Sequence, residues 1–209
     1  MLEMVQALSI GTGVFVAGVV SGTTGLAFPL ISGPIFLLIY APPQAVALTA
    51  MCSLTGQFFS TALLRQSINY EMRLPLIAGG LLGVPLGTVL LNHCDYHLVH
   101  CVLGGLIVIS ALGGLLLHKT APTPQPSSPL SEIVVGLSGG LTGGLVGASS
   151  VVPAIWCAAR GLSKQKQRAI TQPYIIGMQM ASLMSLLSFG KLDSFLVGEL
   201  FSRPCHQAP

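Results

Sequence analysis

The chain has 209 residues, of which 52% are hydrophobic and only 7% charged, with a formal net charge of +3. Soluble domains carry about 25% charged residues, so this composition excludes a water-soluble fold. Nine basic against six acidic residues also exclude the strongly basic footprint of a nucleic-acid binder. No Asp, Glu, Lys or Arg occurs from Met4 to Leu64. A charge at the centre of a span costs about 2.5–3.5 kcal/mol, so such a stretch belongs in a bilayer. A membrane β-barrel would need alternating segments of about ten residues, and the apolar runs here are longer and do not alternate. The composition predicts an all-α polytopic membrane protein. No basic segment precedes the first apolar run, which argues against a cleaved signal peptide.

A span needs about 20 apolar residues. The pattern predicts a helix over 5–26, then a shorter apolar piece over 28–40 that contains Pro29 and Pro34 and cannot span alone. A helix over 45–64 follows Ala41-Pro42-Pro43, then a polar loop over 65–73 and helices over 74–91 and 98–117. Pro122, Pro124, Pro126 and Pro129 make 119–131 an extended linker between units 1–118 and 132–209. The second unit predicts a helix over 133–150, a short piece over 151–159, a polar loop over 160–168 and a helix over 169–190.

The two units resemble each other at an offset of 122 residues. Gly18-x3-Gly22-x2-Gly25 returns as Gly140-x3-Gly144-x2-Gly147, Ala47-x-Thr49 as Ala169-x-Thr171, and Gln57 as Gln179. Eight of the 51 positions between 14–64 and 136–186 are identical. After Leu64 the first unit continues for 53 residues to Leu117, whereas only 23 follow the matching Leu186. The second repeat therefore reads as incomplete, through truncation or because a partner supplies the rest.

Loop charge separates two topologies, because basic residues of short loops gather on the cytoplasmic side. If each long-plus-short pair crosses the membrane, Arg65, Arg73, Lys119 and Lys191 oppose Arg160, Lys164, Lys166 and Arg168, with no bias. If each pair is re-entrant, only Lys191 opposes the other seven. The bias favours inverted repeats whose glycine-rich helices are broken or re-entrant. Broken helices fit an anion carrier, since their N-termini offer N–H groups and partial positive charge without a basic side chain.

These features resemble the TauE/SafE family, the sulfite-exporter or toluene-sulfonate-uptake permeases. The resemblance rests on a twice-occurring G-x3-G-x2-G, an apolar Pro-containing run and an A-x-[GA]-T-type helix start, and covers most of 8–190. It implies an inner-membrane permease for small anions such as sulfite, sulfonates or sulfoacetate, working by alternating access. Thr23-Thr24 and Leu26-Ala27 stand where the family has a denser glycine run. The alternative is a non-transporting assembly subunit or a remnant that needs a partner.

The candidate substrate-binding residues follow from the repeat. Gly22, Thr23, Thr24 and Gly25 form the first glycine segment, and Gly144, Gly147, Ser149 and Ser150 the second. Thr49 and Thr171 lie near helix starts, as caps or cavity-lining hydroxyls, while Gln57 and Gln179 bond between helices or donate to an anion. Close helix packing is the competing reading of the glycine segments, and the preferred one for Gly79, Gly83 and Gly87. His93, Cys94, His97, His100 and Cys101 sit at a membrane-interface position and read as ordinary interfacial residues rather than a metal site. Cys52 and Cys157 read as packing residues. With no C-x-x-C, H-E-x-x-H or intramembrane acid pair, neither an enzyme nor a cofactor is expected. The expected partners are a small anion and lipid, with homo-oligomerisation left open.

Single cysteines introduced at Ser67 and Gln165 test the topology. Both should react with a membrane-impermeant thiol reagent from the same side, whereas labelling from opposite sides contradicts the re-entrant arrangement.

Overall fold

The computed structural model describes residues 11–21, 28–64, 73–117 and 128–188, which form eight α-helices and no strand. In chain order they are α1 (Gly11–Ser21), α2 (Phe28–Leu37), α3 (Pro42–Leu64), α4 (Leu74–His93), α5 (Tyr96–Leu117), α6 (Pro129–Val146), α7 (Val151–Ala159) and α8 (Lys164–Ser188). Leu74–His93, His97–Leu115 and Pro129–Val146 are long and apolar enough to cross a bilayer. With 23 and 25 residues, α3 and α8 match the length of a span, but their Gln, Ser and Thr content makes them more polar.

Capping chemistry moves two helix starts from their predicted places. The predicted linker over 119–131 already contains the first turn of α6. There Ser128 Oγ accepts from the Ser131 N–H at 3.3 Å, and Pro129 takes the first helical position. Likewise α8 starts at Lys164 rather than 169, because Ser163 Oγ accepts from the Lys166 N–H at 3.4 Å and its carbonyl from the Gln167 N–H at 2.8 Å. At its other end α6 stops at Val146 instead of 150, where Gly147 takes a left-handed φ of 73°.

Among the described residues the closest packing is between α4 and α6. Gly79, Gly83 and Gly87 of α4 face the carbonyl oxygens of Ile133, Leu137 and Leu141, and Gly136, Gly140 and Gly144 of α6 face those of Leu76, Gly80 and Val84. At all six positions a Cβ would overlap the opposing backbone. Both partner series rise together along the chain, so the two helices are parallel. Small residues permit this approach, which favours dispersion and Cα–H···O contacts where lipid supplies no hydrophobic drive. The packing reading of Gly79, Gly83 and Gly87 therefore extends to Gly140 and Gly144.

Charge fixes the register of this pair. The Arg73 guanidinium at the N-cap of α4 donates to the carboxylate of Glu132 in the first turn of α6, and Glu132 is buried. From there α6 leads into α7, which folds back along it: Gly139 faces Pro153 and Gly143 faces Ser149. Arg160, at the end of α7, lies over the Trp156 ring at 4.5 Å. Arg160, Arg73 and Glu132 are all close enough to act electrostatically on Cys157. The start of α4, the start of α6 and the end of α7 thus share one end of the bundle.

The next layer is α8. Tyr174 Oη donates to the Gly136 carbonyl at 2.7 Å, and Ile170, Ile175 and Met178 pack with Leu76 and Val84 of α4. Gln172 of α8 donates to Ser60 of α3 at 3.1 Å. Farther along α8, Gln179 reaches the α6–α7 turn beside Thr49, which lies earlier in α3. That reversed order makes α3 and α8 antiparallel. A second core joins α2, α3 and α5 to the same turn through Phe36, Val46, Val99, Leu103, Leu145 and Val151.

The glycine contact makes a paired prediction. Gly140→Ala should lower thermal stability in detergent by about 1–3 kcal/mol through overpacking. Gly18→Ala, 122 residues earlier and with no described atom within 4 Å of the added methyl, should change it by no more than about 0.5 kcal/mol.

Candidate functional site

Buried polar side chains concentrate where α3, α8 and the α6–α7 turn meet. Thr49, Ser53 and Gln57 of α3, Thr171, Gln172, Gln179 and Ser182 of α8, and Ser149 and Ser150 of the turn are all buried. Thr49, Ser53, Gln57 and Ser60 follow one another at intervals of four, four and three residues, so they lie on one face of α3. The face is polar although the helix lies among apolar neighbours.

The turn between α6 and α7 is built by its own hydrogen bonds. The N–H of Gly147 returns to the Gly143 carbonyl at 3.0 Å, and that of Ala148 to the Thr142 carbonyl at 3.3 Å. Thr142 Oγ1 lies 3.3 Å from the Ala148 carbonyl and closes the loop. Gly147 is needed twice, for its positive φ and because a Cβ would come within 3.2 Å of Thr49 Cγ2. Gln179 Nε2 donates to the Gly147 carbonyl at 3.4 Å. Among the described residues, Ser149 Oγ and Gln179 Oε1 are buried without a hydrogen-bond partner. Such atoms are uncommon in native interiors, and here they sit beside the N-terminus of α7, which carries the partial positive charge of its free N–H groups.

The other feature is a cavity of 360 Å³ between α1 and α3, lined by Gly18, Ser21, Ser53, Gln57 and Ser60 together with Phe28 and Phe59. Among the described residues, no charged side chain lines it. Its described polar lining consists of an amide, on Gln57, and the hydroxyls of Ser21, Ser53, Thr55 and Ser60.

The structure thus brings together Thr49, Gly147, Ser149 and Gln179, with Gln57 two turns along α3 at the cavity. Ser150 occupies the N-cap position of α7. Neither Thr49 nor Thr171 caps a helix: each lies inside one and donates to the carbonyl four residues back, Ala45 at 2.7 Å and Gln167 at 2.8 Å. Gly144 lies on the face of α6 turned to the α4 backbone. Gly22, Thr23, Thr24 and Gly25 lie outside the described residues. At the α4–α5 junction, His93 Nδ1 lies 2.9 Å from the Val89 carbonyl, and no three His, Cys, Asp or Glu side chains among the described residues converge as metal ligands.

Sequence reasoning missed Ser53, Ser60, Gln172 and Ser182. Ser60 and Ser182 are themselves one of the eight identities at the 122-residue offset, and Ser53 continues the helical spacing of Thr49 and Gln57. Gln172 escapes a pattern that starts α8 at 169, which sets it near a helix end when it lies in the third turn.

The profile of the family described as sulfite exporter TauE/SafE matches residues 10–201, nearly the whole chain. The chain belongs to the sulfite exporter TauE/SafE family. No curated protein and no solved structure matches it. As a TauE/SafE protein it is a membrane protein of a transporter family, and the polar meeting point of α3, α8 and the α6–α7 turn is its candidate transport site.

Gly147→Ala should cost about 1–2 kcal/mol for the left-handed backbone, with a further loss from crowding Thr49, read as a lower melting temperature. Gly177→Ala, in the interior of α8 with open space around it, should leave the melting temperature unchanged or raise it.

Proposed function

We propose that this TauE/SafE protein moves a small sulfur-containing anion, of the sulfite, sulfonate or sulfoacetate type, across the inner membrane by alternating access. The observation that carries this reading is the break between α6 and α7. It sets a helix N-terminus, the unpartnered hydroxyl of Ser149 and the amide of Gln179 together inside apolar helices. Donors without basic side chains favour an anion's oxygens over water only weakly, so binding is reversible, as a carrier needs. Thr49, Gly147, Ser150 and Gln57 shape and extend the site. Gly22, Thr23, Thr24 and Gly25 supply its counterpart from the first half, and Gly144 and Thr171 support it from behind.

The two halves are inverted repeats in this proposal, with α1–α2 and α6–α7 as re-entrant pairs. Three observations support it. The end of α7 returns to the end at which α6 begins. α3 and α8, the matching long helices, run antiparallel. Shifted by 122 residues, α2 falls on 150–159 and α3 on 164–186, against Val151–Ala159 and Lys164–Ser188 for α7 and α8. The Arg73–Glu132–Arg160 end, with Lys164, Lys166 and Arg168 in the first turns of α8, is the cytoplasmic end.

Proteoliposomes carrying the full chain should take up labelled sulfite or an alkyl sulfonate, and Gln179→Leu should lower the initial rate about tenfold or more, as expected for a lost hydrogen bond to a charged group. Wild-type vesicles no faster than protein-free ones would contradict the reading.

A further inference from the structure

We propose that Ser60 is an anion-binding hydroxyl and that Gln172, from the other half of the chain, positions it. The proposal rests on the anion-carrier reading and adds a second station to the same route.

Hydroxyls on apolar helices usually donate to a carbonyl of their own helix, and most of those here do so. Ser32 donates to Phe28, Thr49 to Ala45, Thr55 to Met51, Thr88 to Val84 and Thr171 to Gln167, at 2.7–3.0 Å. A hydroxyl has one proton, so these side chains have none left for a ligand. Ser60 differs. Its single hydrogen bond among the described residues is accepted, from Gln172 Nε2 at 3.1 Å across the α3–α8 contact. The bond occupies a lone pair and leaves the O–H proton available. Ser60 also lines the 360 Å³ cavity, one helical turn from Gln57 on the same face. The proton presents a donor to the oxygens of a sulfite or sulfonate, which only accept.

Packing alone gives a poor account of Gln172. It is 1% exposed, and its Oε1 has no hydrogen-bond partner among the described residues. A buried amide satisfied at one end is costly to retain, and an apolar side chain of the same volume would fill the space without that cost. What Gln172 does supply is the orientation of Ser60. Because it belongs to α8 and Ser60 to α3, the donor is set only while those helices keep this contact. The station is therefore formed in one arrangement of the two halves and lost in another, which links its affinity to the alternation.

The test is titration of the purified full chain with sulfite and with methanesulfonate, alongside melting without anion. Ser60→Ala should weaken binding about tenfold. Gln172→Met should weaken it by a similar factor without touching the anion. The double variant S60A/Q172M should bind no more weakly than S60A alone, because Gln172 acts through Ser60; a purely structural role does not give that dependence. Multiplying effects, or an unchanged Kd in either single variant whether or not its melting temperature falls, would overturn the proposal while leaving the carrier reading standing. A wild-type chain that binds neither anion would overturn both.

Discussion

The backbones of α4 and α6 touch, and the rest of the described structure is arranged around that contact. Lipid tails are as apolar as leucine, so helices in a bilayer gain nothing by hiding Leu from solvent. They gain from close approach, and six glycines at four-residue spacing bring carbonyl oxygens of each helix against the Cα atoms of the other. The Arg73–Glu132 ion pair sets the register at one end. Once α6 is held, its left-handed stop at Gly147 fixes where the chain turns, and α7 can only return along the face carrying Gly139 and Gly143. Tyr174 then ties α8 to the same helix. The candidate site is thus mounted on the helix that packs most closely against a neighbour among the described residues.

The site itself follows from where the hydroxyl protons go. Threonines that return theirs to their own helix, such as Thr49 and Thr171, behave as small packing residues despite their polarity. Ser149 and Ser60 do not, and the amides of Gln57, Gln172 and Gln179 lie on the facing surfaces of α3, α8 and the turn. A seam of neutral donors through otherwise apolar helices suits the anion proposed above better than a buried cation would, because a fixed positive charge would hold such a ligand and carry its own desolvation cost.

The membrane class, the broken second glycine segment and the short helix Val151–Ala159 are legible in the sequence, because each depends on local rules: hydropathy, glycine and proline placement, and length. The offset of 122 residues points to Thr49, Gln57, Gly147 and Gln179 as a set, and all are buried. What is not legible depends on partners far along the chain. The roles of Gly144 and Gly147 differ, one against α4 and one at a turn, although the motif treats them alike. Ala50 lies 122 residues before Gln172, so the sequence offset gives no hint of it, and the packing of α8 against α3 shows what it touches. The starts of α6 and α8 lie earlier than hydropathy predicts, because a capping serine and the polar first turn behind it look like loop.

Parallel backbone contact between α4 and α6 is the claim on which the remaining packing depends most. Spin labels on outward-facing positions in lipid nanodiscs measure it directly. Leu74 and Leu130 are exposed near the starts of α4 and α6, and Leu90 lies 16 residues beyond Leu74. At 1.5 Å per residue that is about 24 Å along the axis. Parallel helices give a short distance for the Leu74–Leu130 pair and a clearly longer one for Leu90–Leu130, in which that axial rise combines in quadrature with the lateral separation of the two helices. The reverse order, or two long distances, would contradict the contact.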